Sequence, residues 1–261
     1  MSDGRALARE FLEQQRLLGG DSVILPELPG SGMRDAGSMA PQPPAATHPA
    51  SRIPSPDLPP PGISFDPPGG DLFSHDPVPQ AVSLEAITQL VASCTKCRLC
   101  EGRRHTVPGE GAATARLVVV GEGPGRVEDE TGRPFVGPAG ELLTKILGAI
   151  ELPRERVFIC NVVKCRPPEN RLPQFDEIAA CVPYLFRQID IVKPSVILAM
   201  GGTAAQTLLN TKQSLGSLRN LVHRFRGIPL IVTYHPAALL RNPNWKKPTW
   251  DDVRIARRLI G

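Results

Sequence analysis

Four short runs of apolar, mostly β-branched residues constrain this chain most: residues 117–120, 157–159 (leading on to Asn161), 196–199 and 230–233. None of them alternates with polar residues, so each needs cover on both faces, as strands of a parallel sheet do. Helical patterns lie between them at 140–150, 175–191 and 203–209, and another follows at 250–259. Ahead of the first run, Ser83-Leu84-Glu85-Ala86 has the form of a helix start with Ser83 as N-cap, and that helix runs toward Cys94. Strands alternating with helices predict a three-layer α/β/α fold around a central, mainly parallel four-stranded sheet. There is no internal repeat.

The first 82 residues have a different character. Between Pro41 and Pro79 there are 13 prolines in 39 residues, with too little apolar surface to offset the entropy of ordering them. A disordered, partly extended arm is expected over 1–82, with at most one short helix at 5–18, and a folded domain over 83–261. Charge divides at the same place. Residues 1–82 hold 5 Arg, no Lys and 10 acidic residues, leaving 25 basic and 16 acidic residues for the remainder. A basic folded part suggests a polyanion partner such as nucleic acid. No segment approaches the ~20 consecutive apolar residues that span a bilayer. Met1-Ser2-Asp3-Gly4-Arg5 lacks the basic start and apolar run of a signal peptide, so a cytoplasmic location and no membrane association are expected.

Ligands of open parallel sheets bind beyond the carboxyl ends of the strands. Those ends here carry Gly121-Glu122-Gly123-Pro124-Gly125, then Asn161 and Lys164-Cys165-Arg166-Pro167-Pro168, then Gly201-Gly202-Thr203, then His235-Pro236. One shared crevice follows. The first glycine-rich turn is read as something other than a dinucleotide loop. Pro124 and Glu128-Asp129-Glu130 follow it rather than an immediate helix, and three acidic residues repel a pyrophosphate. Cys94-x-x-Cys97 with the distant Cys165 and Cys181 makes a four-thiolate site, which spacing alone leaves open between zinc and iron–sulfur. Cys100 and Cys160 read as buried or free thiols. The Asn161 amide offers a donor and an acceptor side by side, which suits the edge of a pyrimidine. The His235 imidazole can donate to an oxygen gaining charge. Phe135 could stack on a base or belong to the core. Leu239, Leu240 and Arg241, expected on a loop, have the composition of a wedge that enters a duplex; the competing reading packs both leucines under a helix start.

Taken together, these segments resemble the family 4, iron–sulfur, uracil-DNA glycosylases. The runs that carry the resemblance are Cys94-Thr95-Lys96-Cys97-Arg98-Leu99, Gly121-Glu122-Gly123-Pro124-Gly125 and Thr131-Gly132-Arg133-Pro134-Phe135-Val136-Gly137. Asn161 through Arg171, Cys181 and the His235 to Pro243 run complete it. The resemblance covers about 83 to 261 and implies removal of uracil from DNA, leaving an abasic site for base excision repair. It also implies a 4Fe–4S cluster on Cys94, Cys97, Cys165 and Cys181, with a structural role. Gly123, Phe135, Asn161, Asn170 and His235 would contact uracil, with His235 stabilising the leaving anion. Leu239, Leu240 and Arg241 would enter the DNA. Better-known relatives carry an Asp where Gly123 stands, so Glu122 and Glu128 are the carboxylates left to position water, with the choice between them open. A relative that cross-links to DNA does so through a histidine in a basic insert, and Arg166-Pro167-Pro168-Glu169-Asn170-Arg171 has neither. The resemblance further implies single- or double-stranded uracil-containing DNA as substrate, and a monomer is expected. Residues 5–18 could dock a repair or replication protein, with the proline-rich stretch as tether. Two other classes remain open: a DNA-binding module that kept the fold without the chemistry, and a nucleotide-cofactor oxidoreductase.

Overall fold

The computed structural model describes residues 76–261. The expected helix at 5–18 and almost all of the proline-rich stretch lie outside the described residues. From Asp76 the chain makes a 3-10 turn (Val78–Gln80), then α1 (Leu84–Ala92), α2 (Leu99–Gly102), β1 (Glu110–Gly111) and β2 (Leu117–Gly121). Next come α3 (Arg126–Thr131), α4 (Pro138–Ala149), β3 (Phe158–Asn161), α5 (Phe175–Val192) and β4 (Val196–Met200). The last part holds α6 (Gly202–Leu209), α7 (Leu215–Leu218), β5 (Val222–Phe225), β6 (Ile228–Thr233), α8 (Pro236–Arg241) and α9 (Lys246–Ile260).

The sheet order is β1-β3-β2-β4-β6-β5. The four strands expected from the apolar runs are its parallel centre, with Val118 opposite Phe158 on one side of β2 and Ile197 on the other. Two strands not anticipated from the sequence, β1 and β5, close its edges in antiparallel fashion. β1 has two residues and β5 carries a mostly exposed pattern, so neither produces a continuous apolar run.

The alternating side chains of each central strand enter two separate cores. Val118, Val120, Ile197, Ala199, Leu230 and Val232 pack with residues of α1, α5 and α6. Leu117, Val119, Val196, Leu198, Met200 and Ile231 pack with α4 and α9. This two-sided burial is why the strands read as unbroken apolar runs. Ser83 caps α1 as expected, its hydroxyl accepting from Ala86 N. The packed unit starts before Ser83, however. Val78 and Ala81 are buried in the α1/α5 core, and Arg187 Nε donates to Ala81 O at 2.6 Å. Two local expectations are corrected. The glycine-rich turn does open directly into a helix, α3, whose N-cap Gly125 is bonded by Glu128. The segment after His235 is also helical rather than a loop, because Pro236 occupies the first helical position, where its missing N–H costs nothing.

Candidate active site

The chain crosses from one side of β2 to the other between β3 and β4, so β2 sits at the switch point where parallel sheets leave a crevice. A cavity of about 700 Å³ opens there. Glu122 and Gly123 follow β2, Asn161 ends β3, Gly201 and Gly202 follow β4, and Tyr234 and His235 follow β6, all lining it. Gly121 permits the close approach: a Cβ there would meet Asn161 Oδ1 at 2.4 Å and Phe135 Cζ at 2.5 Å.

Phe135 is only 5% exposed and forms one wall, 5.4 Å from the His235 ring between centroids. Its φ of +51° is unusual for an aromatic residue and must be held from outside. Arg154 donates to Phe135 O at 2.8 Å and also to Pro134 O. On the other flank, Glu128 Oε1 accepts from Val136 N and Gly137 N, both at 3.0 Å. Glu128 Oε2 accepts from Gly125 N at 3.1 Å, so both oxygens of this carboxylate bind backbone. Glu122 is bound differently. Its Oε2 accepts from Thr203 Oγ1 at 2.5 Å, and its side chain lines the cavity.

His235 N-caps α8. Its Nδ1 accepts from Ala237 N at 3.2 Å, which places the ring proton on Nε2. Burial, with Arg241 nearby as the smaller cause, pushes the imidazole down to about 4, so the ring is neutral at pH 7. Asn161 is 1% exposed, and its Oδ1 has no hydrogen-bond partner. A buried carbonyl oxygen without a partner is costly, which makes this atom a ready acceptor for a ligand N–H. The Asn161 main chain is fixed by Lys164, whose buried Nζ donates to Asn161 O at 2.8 Å and Gln188 Oε1 at 2.6 Å. At the mouth, Arg166 Nε donates to Asn170 Oδ1 at 2.8 Å.

Behind the β3 end lies a second, small cavity lined by Cys94, Cys97, Cys100, Cys165 and Cys181 together with Arg103 and Lys164. Arg103 Nη1 donates to Cys165 Sγ and Lys164 N to Cys181 Sγ, both at 3.2 Å. Burial pushes the Cys97 and Cys165 thiols up and the Cys181 thiol up to about 12. Thiols so buried become thiolates readily only beside a cation, and N–H donors on sulfur are the outer contacts that thiolate-held metals use. The donor set therefore fits a soft metal or an iron–sulfur cluster, although among the described residues no three His, Cys, Asp or Glu side chains are already drawn together as a metal-holding group. Cys160 is wholly buried on β3 and is not among the lining residues.

A model of the family described as "Uracil DNA glycosylase superfamily" matches residues 108–255. The chain belongs to the uracil-DNA glycosylase superfamily. It is 46% identical over 186 residues to a type-4 uracil-DNA glycosylase of Sulfurisphaera tokodaii, covering 68% of this chain and 84% of the relative. It is 48% identical over 181 residues to a type-4 enzyme of Thermotoga maritima, covering 68% of this chain and 94% of the relative. A third, from Archaeoglobus fulgidus, is 40% identical over 187 residues, or 69% of this chain and 94% of the relative.

In this uracil-DNA glycosylase superfamily member, Glu122, Gly123, Glu128, Phe135, Asn161, Asn170, His235 and Arg241 all line the one cavity. Leu239 does not fit the expectation of a DNA-entering residue. It is 1% exposed and packs in the α4/α9 core, because α8 turns it inward. Leu240, on the outer face of the same turn, is 50% exposed, and Arg241 is exposed beside it. Sequence reasoning missed Tyr234 and Trp245 as parts of the site; Thr203, which it placed at the end of the third apolar run, reaches the cavity through Glu122. The two aromatics had a usable signal, since the chain holds only 2 Trp and 2 Tyr and one of each flanks the His235 segment.

Proposed function

We propose that this chain hydrolyses the N-glycosidic bond of uracil in DNA, leaving an abasic site. The observation that carries the reading is the partnerless Oδ1 of Asn161, in one cavity with the Phe135 ring and a neutral His235. Uracil presents an N3–H donor that this acceptor needs. Cytosine presents a bare N3 and an exocyclic amine, so the buried oxygen would face an acceptor and stay unpaired. A stacked base cannot reach such a cavity, so the nucleotide must leave the helix. Phe135 then stacks on the extruded base, with Leu240 and Arg241 facing the strand it left. Gly123 and Asn170 line the pocket around it.

As the bond breaks, its electron pair passes to uracil N1 and charge spreads to the uracil oxygens. The Nε2–H of His235 is the fixed donor for that charge, and a neutral ring serves because it needs only to donate, not to release a proton. Water adds to the electron-poor sugar carbon and loses its proton to bulk solvent. Glu122 is assigned to position this water. Glu128 is assigned to hold the Phe135 segment, because backbone N–H groups engage both of its oxygens.

Cys94, Cys97, Cys165 and Cys181 are assigned to a 4Fe–4S cluster, which when bound supplies charge for four thiolates and cross-links distant loops. Cys165 lies four positions beyond Asn161, so these ligands would also brace the uracil-reading strand end.

The test is excision from a labelled uracil-containing oligonucleotide, read as alkali-labile cleavage. His235→Ala and Asn161→Ala should each lower the single-turnover rate by about 10²–10³. A cluster-loaded wild type that leaves uracil in place would overturn the reading.

A further inference from the structure

Beside the base cavity stands a layered stack that the proposed chemistry does not use. The Tyr234 and Trp245 rings lie 4.6 Å apart and within 7° of parallel. The Arg219 guanidinium covers the ring of Tyr234 at 4.3 Å. Arg219 is anchored in turn, donating to Asp252 Oδ2 at 2.8 Å and to Pro248 O at 2.9 Å. Asp252 is wholly buried and also accepts from Thr233 Oγ1 at 2.7 Å. The Trp245 main chain is held at both ends, its N–H donating to Asn242 O and its carbonyl accepting from Thr249 Oγ1. Despite this rigid support, Trp245 remains 37% exposed, and both aromatics line the cavity that Asn161 and His235 line.

We propose that the Tyr234–Trp245 stack is a ledge for the nucleobase next to the uracil on the same strand. The inference rests on the proposed function and adds a second base site to it. A large, rigid, partly exposed indole lining the same cavity gains most from a flat apolar partner, and every nucleobase has such a face. Tyr234 precedes His235 directly, so the ledge is built on the strand end that carries the leaving-group donor. Arg241 and Lys247, both exposed on the same stretch of chain, add positive charge for the strand's phosphates. The ledge holds the strand while the uridine is outside the stack, so it contributes to substrate affinity.

The experiment uses the full chain and single-stranded oligonucleotides in which the neighbour of uracil, on either side, is a base or an abasic spacer. Replacing the neighbour on one side with the spacer should raise the wild-type KM about tenfold. Trp245→Ala should raise KM similarly with the loss falling outside kcat, and the spacer should then cost it nothing further. Trp245→Phe should recover most of the affinity. Trp250 is 3% exposed, so quenching of tryptophan fluorescence by DNA should report Trp245 and vanish in the alanine variant. If neither neighbour's removal changes the wild-type KM, the ledge is wrong, whatever the variants do. If the spacer penalty is the same in wild type and Trp245→Ala, it is also wrong. Both results presuppose that wild type excises uracil; failure to excise would instead overturn the underlying reading.

Discussion

At the scale of the residue, His235 owes its state to one neighbour and to burial. The Ala237 N–H occupies Nδ1, and burial holds the imidazole at about 4, below its ordinary 6.5. Glu177 is the acidic counterpart. Hydrogen bonds from Arg171 first, and from Gln174 N and Arg98 as well, hold its carboxyl at about 2 against an ordinary 4.5. Both groups bind fewer protons folded than unfolded over their windows, so both make stability fall as pH falls. The His235 contribution is whole above 6.5 and is lost on the way to 4; that of Glu177 is whole above 4.5 and is lost on the way to 2. The thermal midpoint should therefore decline in two stages on acidification. His235→Asn should remove the first stage only, and a midpoint flat from pH 7 to 4.5 in the wild type would contradict the burial argument.

The elements meet at a few contacts too close for side chains. α4 reaches the Phe135 segment through Gly140, where a Cβ would lie 1.8 Å from Phe135 O. Neither partner can yield easily, since Arg154 and Glu128 clamp that segment from both sides. Gly140→Ala should cost about 1–3 kcal/mol by overpacking, and it should displace Phe135. Chemical denaturation and excision kinetics should both register it. A stable variant with full activity would mean that the helix slides rather than the wall moving. α5 joins two regions through side chains instead. Glu177 in its first turn binds Arg98, from the cysteine segment, and Arg171, from the cavity mouth.

For the molecule as a whole, the boundary between arm and domain can be tested. Val78 and Ala81 are buried and Arg187 binds Ala81 O, so the unit that must stay intact includes the turn at Val78. Deleting residues 1–75 should leave excision of a short oligonucleotide unchanged and weaken only capture of a repair or replication partner, if the arm is a tether. Deleting 1–82 should in addition lower stability, because two core side chains go with it; equal stability of the two truncations would show that the turn at Val78 adds nothing. Among the described residues no helix is long and apolar enough to cross a membrane.

The amino-acid order alone determined the parallel centre of the sheet. Burial on both faces leaves a signature in consecutive residues such as Val118, Val119 and Val120, and a strand's end can be found by the polar residue that follows it. The cavity-lining residues Asn161 and His235 were legible for the same reason, since they stand where apolar runs stop. Only the tertiary structure decided what depends on contacts far apart in the chain. The edge strands β1 and β5 are too short or too exposed to leave an apolar run. Leu239 and Leu240 are identical in composition, yet α8 turns one inward and the other out. Glu122 and Glu128 are the same side chain in the same segment, and they differ only because Gly125, Val136 and Gly137 direct their N–H groups at Glu128 while Thr203 reaches Glu122. The Arg219–Tyr234–Trp245 stack likewise exists only once β6, α9 and the loop carrying Arg219 have come together, because stacking is set by ring geometry, which neighbouring letters do not encode.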